Sequence, residues 1–164
     1  MASRYVRAAL VCAGVVVPDQ ITKILVQQNM ELWSSRPVIP GLLDVVHVIN
    51  KGAAFGFLNR ADVDWQRPFF LAVTLLALGF VGYLVHTASE RNPLLVTGLG
   101  LVAGGAVGNF IDRVRLGVVV DFIDIYVGPH HWPAFNVADI AINLGALAIL
   151  VSMYKTRGGA ARKG

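Results

Sequence analysis

Four apolar runs, at residues 5–26, 68–85, 94–111 and 137–154, limit what this chain can become. Eighteen helical residues reach about 27 Å, close to the thickness of a bilayer hydrocarbon core. The runs are therefore short but adequate membrane spans. The 164 residues are 55% hydrophobic and only 15% charged, with a mean hydropathy of +0.62. A soluble domain of this size cannot hide so much apolar surface. The expected fold class is an all-α integral membrane protein, with four transmembrane helices and a small extracytoplasmic β-sheet or loop subdomain. One membrane-embedded domain is expected over residues 1–157, followed by a disordered Gly/Ala/basic tail at 158–164.

Charge orients the spans. Arg4 and Arg7 precede the first run, and Lys155, Arg157, Arg162 and Lys163 follow the last. The net charge of +4 thus sits in the tails rather than in a stripe suited to nucleic acid, and no nucleic-acid partner is expected. Four crossings put both termini on one side, which the positive-inside rule assigns to the cytoplasm. The short connection 86–93 is then cytoplasmic, and 27–67 and 112–134 face outward. Trp65 and Trp132 precede the second and fourth spans on the outer side, while Tyr5, Tyr83 and Tyr154 fall near the inner ends. Such rings prefer headgroup depth. The amino-terminal run imitates a signal peptide, but no clear small-x-small site follows it and the helical pattern continues through Asp19 and Lys23. It reads as a retained span. The single cysteine, Cys12, excludes an intrachain disulfide and reads as a small packing residue.

The first outer segment carries its own signals. Pro37 and Pro40-Gly41 punctuate it, and residues 42–49 are rich in β-branched side chains. Residues 53–58 are expected to pair back as a second strand through a turn at Asn50-Lys51-Gly52. A small sheet resting on the membrane surface follows from this.

Ionisable groups beside a bilayer core are expensive, so they mark function by default. Asp121 lies among Val118, Val119, Val120, Phe122 and Ile123 and needs a partner or a raised pKa. Asp139 begins the fourth span three residues after Asn136, a spacing that also suits an Asn cap with an acidic third residue. Two carboxylates at one desolvated site share a proton, so one activates water while the other protonates the leaving group. A dyad of Asp121 and Asp139 explains both residues at once. Asn109 precedes Asp112 by about one turn, so the two share a helix face. Asp112-Arg113 closes the third span, and Arg115 reads as a solvated charge. Asp19 and Lys23 are four apart and can pair, just after Pro18, which removes one helical hydrogen bond.

Other features read as structure. Gly100, Gly104 and Gly108 form a small-residue stripe suited to close helix packing. The adjacent His130 and His131 point apart in regular structure, and no metal site or cofactor is expected. Serine is scarce and no nucleophile elbow occurs.

Five ordered segments resemble the lipoprotein signal peptidase family, also called signal peptidase II. They are Asp19-Gln20-Ile21-Thr22-Lys23, Asn50-Lys51-Gly52-Ala53-Ala54-Phe55, Gly104 through Arg113, Val119-Val120-Asp121-Phe122, and Pro133-Ala134-Phe135-Asn136-Val137-Ala138-Asp139. Pro18 stands where an aliphatic residue is more usual. The resemblance implies a bacterial inner-membrane aspartic endopeptidase that cuts prolipoproteins before a diacylglyceryl-modified cysteine. It implies Asp121 and Asp139 as the catalytic pair and Asn50 and Arg113 as groups that bind substrate backbone. Asp19, Lys23, Asn109, Asp112 and Asn136 are implied to support them. The expected partners are diacylglyceryl-modified prolipoproteins and membrane lipid, the expected enzyme is a monomer, and the active site is expected near the outer face. The rival reading is a small proton-coupled transporter or channel subunit, with carboxylates spread through the membrane depth. Here Asp19, Asp112, Asp121 and Asp139 all map to one face, which favours an interfacial enzyme. A purely structural subunit would have no use for buried acids.

Overall fold

Each apolar run becomes one helix in the computed structural model, which describes residues 3–52, 65–90 and 92–161. The helices are α1 (Arg4–Asn29), α2 (Gln66–Thr87), α3 (Pro93–Leu116) and α4 (Val137–Ala161). All four are long and apolar enough to cross a membrane. Their outer faces expose large apolar side chains, among them Val17, Leu25, Leu76, Phe80, Leu147 and Leu150. In water that surface would be a heavy penalty; against lipid it is the favoured one.

Local chemistry sets the helix ends. Ser3 accepts the Val6 N–H ahead of α1, and Asn92 accepts the Leu95 N–H ahead of α3, where Pro93 fills the first helical position. Gly117, at φ +77°, ends α3 in the left-handed conformation that glycine adopts without strain. Helix α1 runs unbroken through Pro18, and the Thr22 hydroxyl donates to the Pro18 carbonyl at 2.8 Å. Helix α4 continues beyond the apolar run to Ala161. The first four residues of the tail expected to be disordered, 158–161, are therefore helical. The helix already begun carries them on, since each added residue gains a hydrogen bond without a new nucleation cost.

Helix α3 packs against all three others. Its glycines serve two interfaces: the expected stripe of Gly100, Gly104 and Gly108 lies against α1, and Gly98 and Gly105 lie against α4. A Cβ on Gly100 or Gly104 would meet Val11 or Val15 on α1 at 2.9 Å and 2.7 Å. On the α4 side, a Cβ on Gly98 would lie 2.9 Å from the Gly145 carbonyl, and one on Gly105 would press on the Ala138 carbonyl. Small residues let the backbones approach where lipid supplies no hydrophobic drive for association. Polar contacts tie the far end of the bundle: Arg4 donates to the Ala88 carbonyl, Tyr5 pairs with His86, and Ser152 donates to Asn92.

A four-stranded antiparallel sheet covers the other end. Its strands are β1 (Ser35–Ile39), β2 (Leu43–Asn50), β3 (Val119–Val127) and β4 (His130–His131), in that spatial order. Strand β2 forms where the β-branched run predicts it. Its neighbours, however, are β1 and β3, and β3 arises in a connection for which no strand was expected. The strand expected at 53–58 lies outside the described residues. Pairing of β2 with β3 sets Asn50 opposite Val119, Ile49 opposite Val120 and Val48 opposite Asp121, with a register shift between Val45 and Val48. Val26, Met30 and Phe122 pack beneath the sheet with Val45, Ile123 and Val137, fixing it to the ends of α1 and α4.

Candidate active site

Asp121 enters the site from β3 and Asp139 from the first turn of α4. The sequence between them makes a short return: Phe135 bridges back to Ile123, and α4 then starts at Val137. Asn136, fully buried, touches both acids. Its Nδ2 donates to Asp121 Oδ1 at 2.7 Å, and its Oδ1 accepts the Asp139 N–H at 3.0 Å. The Asn136 N–H donates in return to Asp139 Oδ2 at 3.2 Å. Asp139 is thus the acidic partner of a reciprocal helix cap. Its other oxygen, Oδ1, accepts Asn109 Nδ2 at 2.9 Å. The capping role and membership of a carboxylate pair are compatible, because each uses the same carboxylate in the same place.

Asp121 is 3% exposed. Burial, followed by the charge of Asp139, pushes its carboxyl up to about 7. Hydrogen bonds from Asn50 and Asn136 and the nearby Lys23 act in the opposite direction, without winning.

Beneath this pair lies a dry polar cluster between α1 and α3. Asp19, Lys23 and Asp112 are each no more than 1% exposed. Lys23 Nζ lies 3.0 Å from Asp19 Oδ2 and 2.9 Å from Asp112 Oδ2, and donates to Asn109 Oδ1 at 2.9 Å. That last contact orients the Asn109 amide, so its Nδ2 faces Asp139. A buried cation is tolerated here because anions and an amide oxygen surround it.

Asn50 and Arg113 converge on Gly52. Asn50 Oδ1 accepts the Gly52 N–H at 3.0 Å while its Nδ2 donates to Asp121 Oδ2 at 3.3 Å. Arg113 donates to the Gly52 carbonyl at 3.3 Å and stacks its guanidinium 5.0 Å from the centre of the Phe70 ring. Arg113 also lies within electrostatic reach of Asp121, Asp139 and Asp112.

All nine residues singled out from the sequence therefore meet at one end of the bundle. Arg115 is exposed and donates to Gln20 Oε1 at 3.4 Å. His131 pairs with Asp124 at 2.8 Å on the exposed sheet, away from the cluster. One participant had no role assigned to it from the sequence. Gln20 Nε2 donates to Asp19 Oδ2, Gly108 O and Asp112 Oδ1 at 3.0–3.2 Å. Its position between Asp19 and Lys23, polar in an apolar run, was the available signal.

Comparison with known proteins gives the family. The family model for signal peptidase (SPase) II matches residues 11–155. The chain is 55% identical to a lipoprotein signal peptidase of Maridesulfovibrio salexigens, over 94% of this chain and 99% of that protein. It is 48% identical to one from Geobacter metallireducens, over 90% of each. A solved bacterial membrane enzyme, determined by the in meso method at 2.3 Å, superposes with a TM-score of 0.83 at 33% identity, covering 93% of this chain and 90% of that one. With four spans, a capping sheet and a family match over most of its length, the chain is a multi-pass membrane protein that belongs to the signal peptidase II family.

Proposed function

We propose that this protein is an aspartic endopeptidase that removes signal peptides from diacylglyceryl-modified prolipoproteins, with Asp121 and Asp139 as its catalytic pair. The observation that carries the reading is the joint grip of Asn136 on two desolvated carboxylates at the sheet-covered end of the bundle. The family relatives named as lipoprotein signal peptidases support the substrate class.

The chemistry follows from the surroundings of each acid. Asp121, with its carboxyl up near 7, holds the shared proton in the resting enzyme. Asp139 accepts N–H groups on both oxygens at a helix N-terminus and is the ionised partner. A water between them loses a proton to Asp139 as its oxygen attacks the scissile carbonyl carbon, while Asp121 protonates the carbonyl oxygen. The tetrahedral diol then returns a proton to Asp121, Asp139 protonates the amide nitrogen, and the C–N bond breaks. Both acids end in their starting states. Asn50 and Arg113 hold the extended substrate backbone, since an amide both donates and accepts and a guanidinium presents a fork of donors. Asp19, Lys23, Asn109, Asp112 and Asn136 support the pair.

The basic ends of the chain support cytoplasmic termini and an outward-facing site. There the acyl chains of the substrate lie in the outer leaflet against the exposed apolar helix faces. Each buried methylene contributes about 0.8 kcal/mol toward holding the modified cysteine at that depth. The test is cleavage of two precursors that differ only in the lipid on the cysteine, by the native protein, Asp121→Asn and Asp139→Asn, in one detergent at equal concentration. The native protein is expected to cut the lipidated precursor and barely touch the other, and each variant to insert normally and lose nearly all turnover. Equal cleavage of the two precursors would sink the lipoprotein assignment, and an active variant would remove that aspartate from the pair.

A further inference from the structure

Asp19 and Asp112 hold corresponding places relative to the two proposed catalytic acids. Asp112 Oδ2 accepts the N–H of Val120, the residue before Asp121, at 3.2 Å. Asp19 Oδ1 accepts the N–H of Ala138, the residue before Asp139, at 2.9 Å. Each buried acid thus anchors the main chain one residue ahead of a member of the pair. Two side chains of α1 join the anchors: Lys23, within 3.0 Å of both, and Gln20, whose Nε2 donates to Asp19 Oδ2 at 3.1 Å and to Asp112 Oδ1 at 3.0 Å.

Charge balance explains Lys23 but not Gln20. An ammonium is a compact point charge that attracts carboxylates with little direction. The amide occupies Asp112 Oδ1 while the ammonium occupies Oδ2, so together they hold both ends of that carboxylate. The fit leaves no slack: a Cβ on Gly108 would stand 2.5 Å from Asp19 Oδ2, and the Gly108 carbonyl accepts from Gln20 at 3.2 Å.

We infer that Gln20 is a positioning residue: with Lys23 it holds Asp19 and Asp112 at one span, and through the amides of Val120 and Ala138 that span sets the separation of Asp121 and Asp139. The inference rests on the reading of those two as the catalytic pair. It predicts a signature beyond lost activity. Two interacting carboxylates titrate in two steps whose spacing reflects how strongly they interact. The charged groups acting on them are Arg113 from α3 and Asp19 and Lys23 from α1, beside the uncharged Asn50, Asn109 and Asn136. A substitution at Gln20 changes none of these charges, so a narrower pH profile reports a wider pair.

The experiment measures the pH dependence of kcat/KM on lipidated precursor for Gln20→Met, which keeps the length and removes both donors. Displacement by about 1 Å is expected to lower kcat roughly 10²-fold, with KM changed less than about twofold. The acid and alkaline limbs should also move toward each other. Gly108→Ala, which displaces Asp19 by contact instead, should narrow the profile in the same way. Ile21→Ala, on the exposed neighbour of Gln20, should leave rate and limbs unchanged. Lost rate with limbs in their native places in Gln20→Met overturns the inference. So does failure of both Gln20→Met and Gly108→Ala to fold, which would make the cluster a folding element. Activity in Asp121→Asn or Asp139→Asn refutes the catalytic pair itself, independently of Gln20.

Discussion

Replacing Asn136 by alanine tests how much of the site hangs on one side chain. The variant removes the cap that accepts the Asp139 N–H, worth about 1 kcal/mol. It also strips the Nδ2 donor from Asp121 Oδ1 and from the Val120 carbonyl, in a place with no exposure to water. An orphaned buried polar group costs about 1–3 kcal/mol. The two together predict a stability loss of about 2–4 kcal/mol. Activity should fall further than stability explains, roughly 10²-fold in kcat/KM, because both acids lose the group that relates them. The pH profile separates this from simple unfolding. The Asn136 hydrogen bond favours ionised Asp121. Without it the proton persists to higher pH, so the alkaline limb should move up from its native position. Denaturation in detergent, cleavage at matched folded concentration and a full pH profile make the assay. The reasoning is refuted if stability drops as stated while kcat/KM stays within about threefold and the alkaline limb does not move.

Helix packing gives a paired prediction. Gly105→Ala should destabilise by about 1–3 kcal/mol or prevent insertion, since its Cβ meets the Ala138 carbonyl and lies 2.6 Å from Ile142. Gly79→Ala, with nothing within 4 Å, should be neutral or gain up to about 1 kcal/mol of helix propensity in the same denaturation assay. Asp121 predicts a pH dependence of stability. Its native pKa is raised from 3.8 to about 7, so between those values the folded state binds the extra proton and stability falls as pH rises. The span corresponds to at most about 4 kcal/mol. Asp121→Asn should flatten that fall, and an equally steep fall in the variant would contradict the assigned titration.

The sequence alone determined the membrane architecture, because span length and composition are local properties and lipid demands that each span satisfy its own backbone. It also drew attention to Asp121, Asp139, Asp19, Lys23, Asn109, Asp112 and Asn136, since ionisable and amide groups beside apolar runs are conspicuous without any coordinates, whereas the roles of Asn50 and Arg113 came only from the resemblance of their motifs to a known family. The cap at Asn136 and Asp139 and the pair of Asp19 with Lys23 were legible for the same reason: they lie three and four residues apart on one helix. The long-range pairings emerge on folding. Val119–Val127 becomes a strand because β2, some seventy residues earlier, supplies its partner. The glycines of α3 divide between two neighbours according to where α1 and α4 pack. Gln20 looked like one more polar residue in a motif until α3 brought Asp112 to its amide. That Asp112 accepts the Val120 N–H emerges only when the chain after α3 folds back over it. Periodicity and burial cost are written residue by residue along the chain. Which carboxylate meets which amide depends on the fold, because the partners are separated by up to 119 positions in sequence.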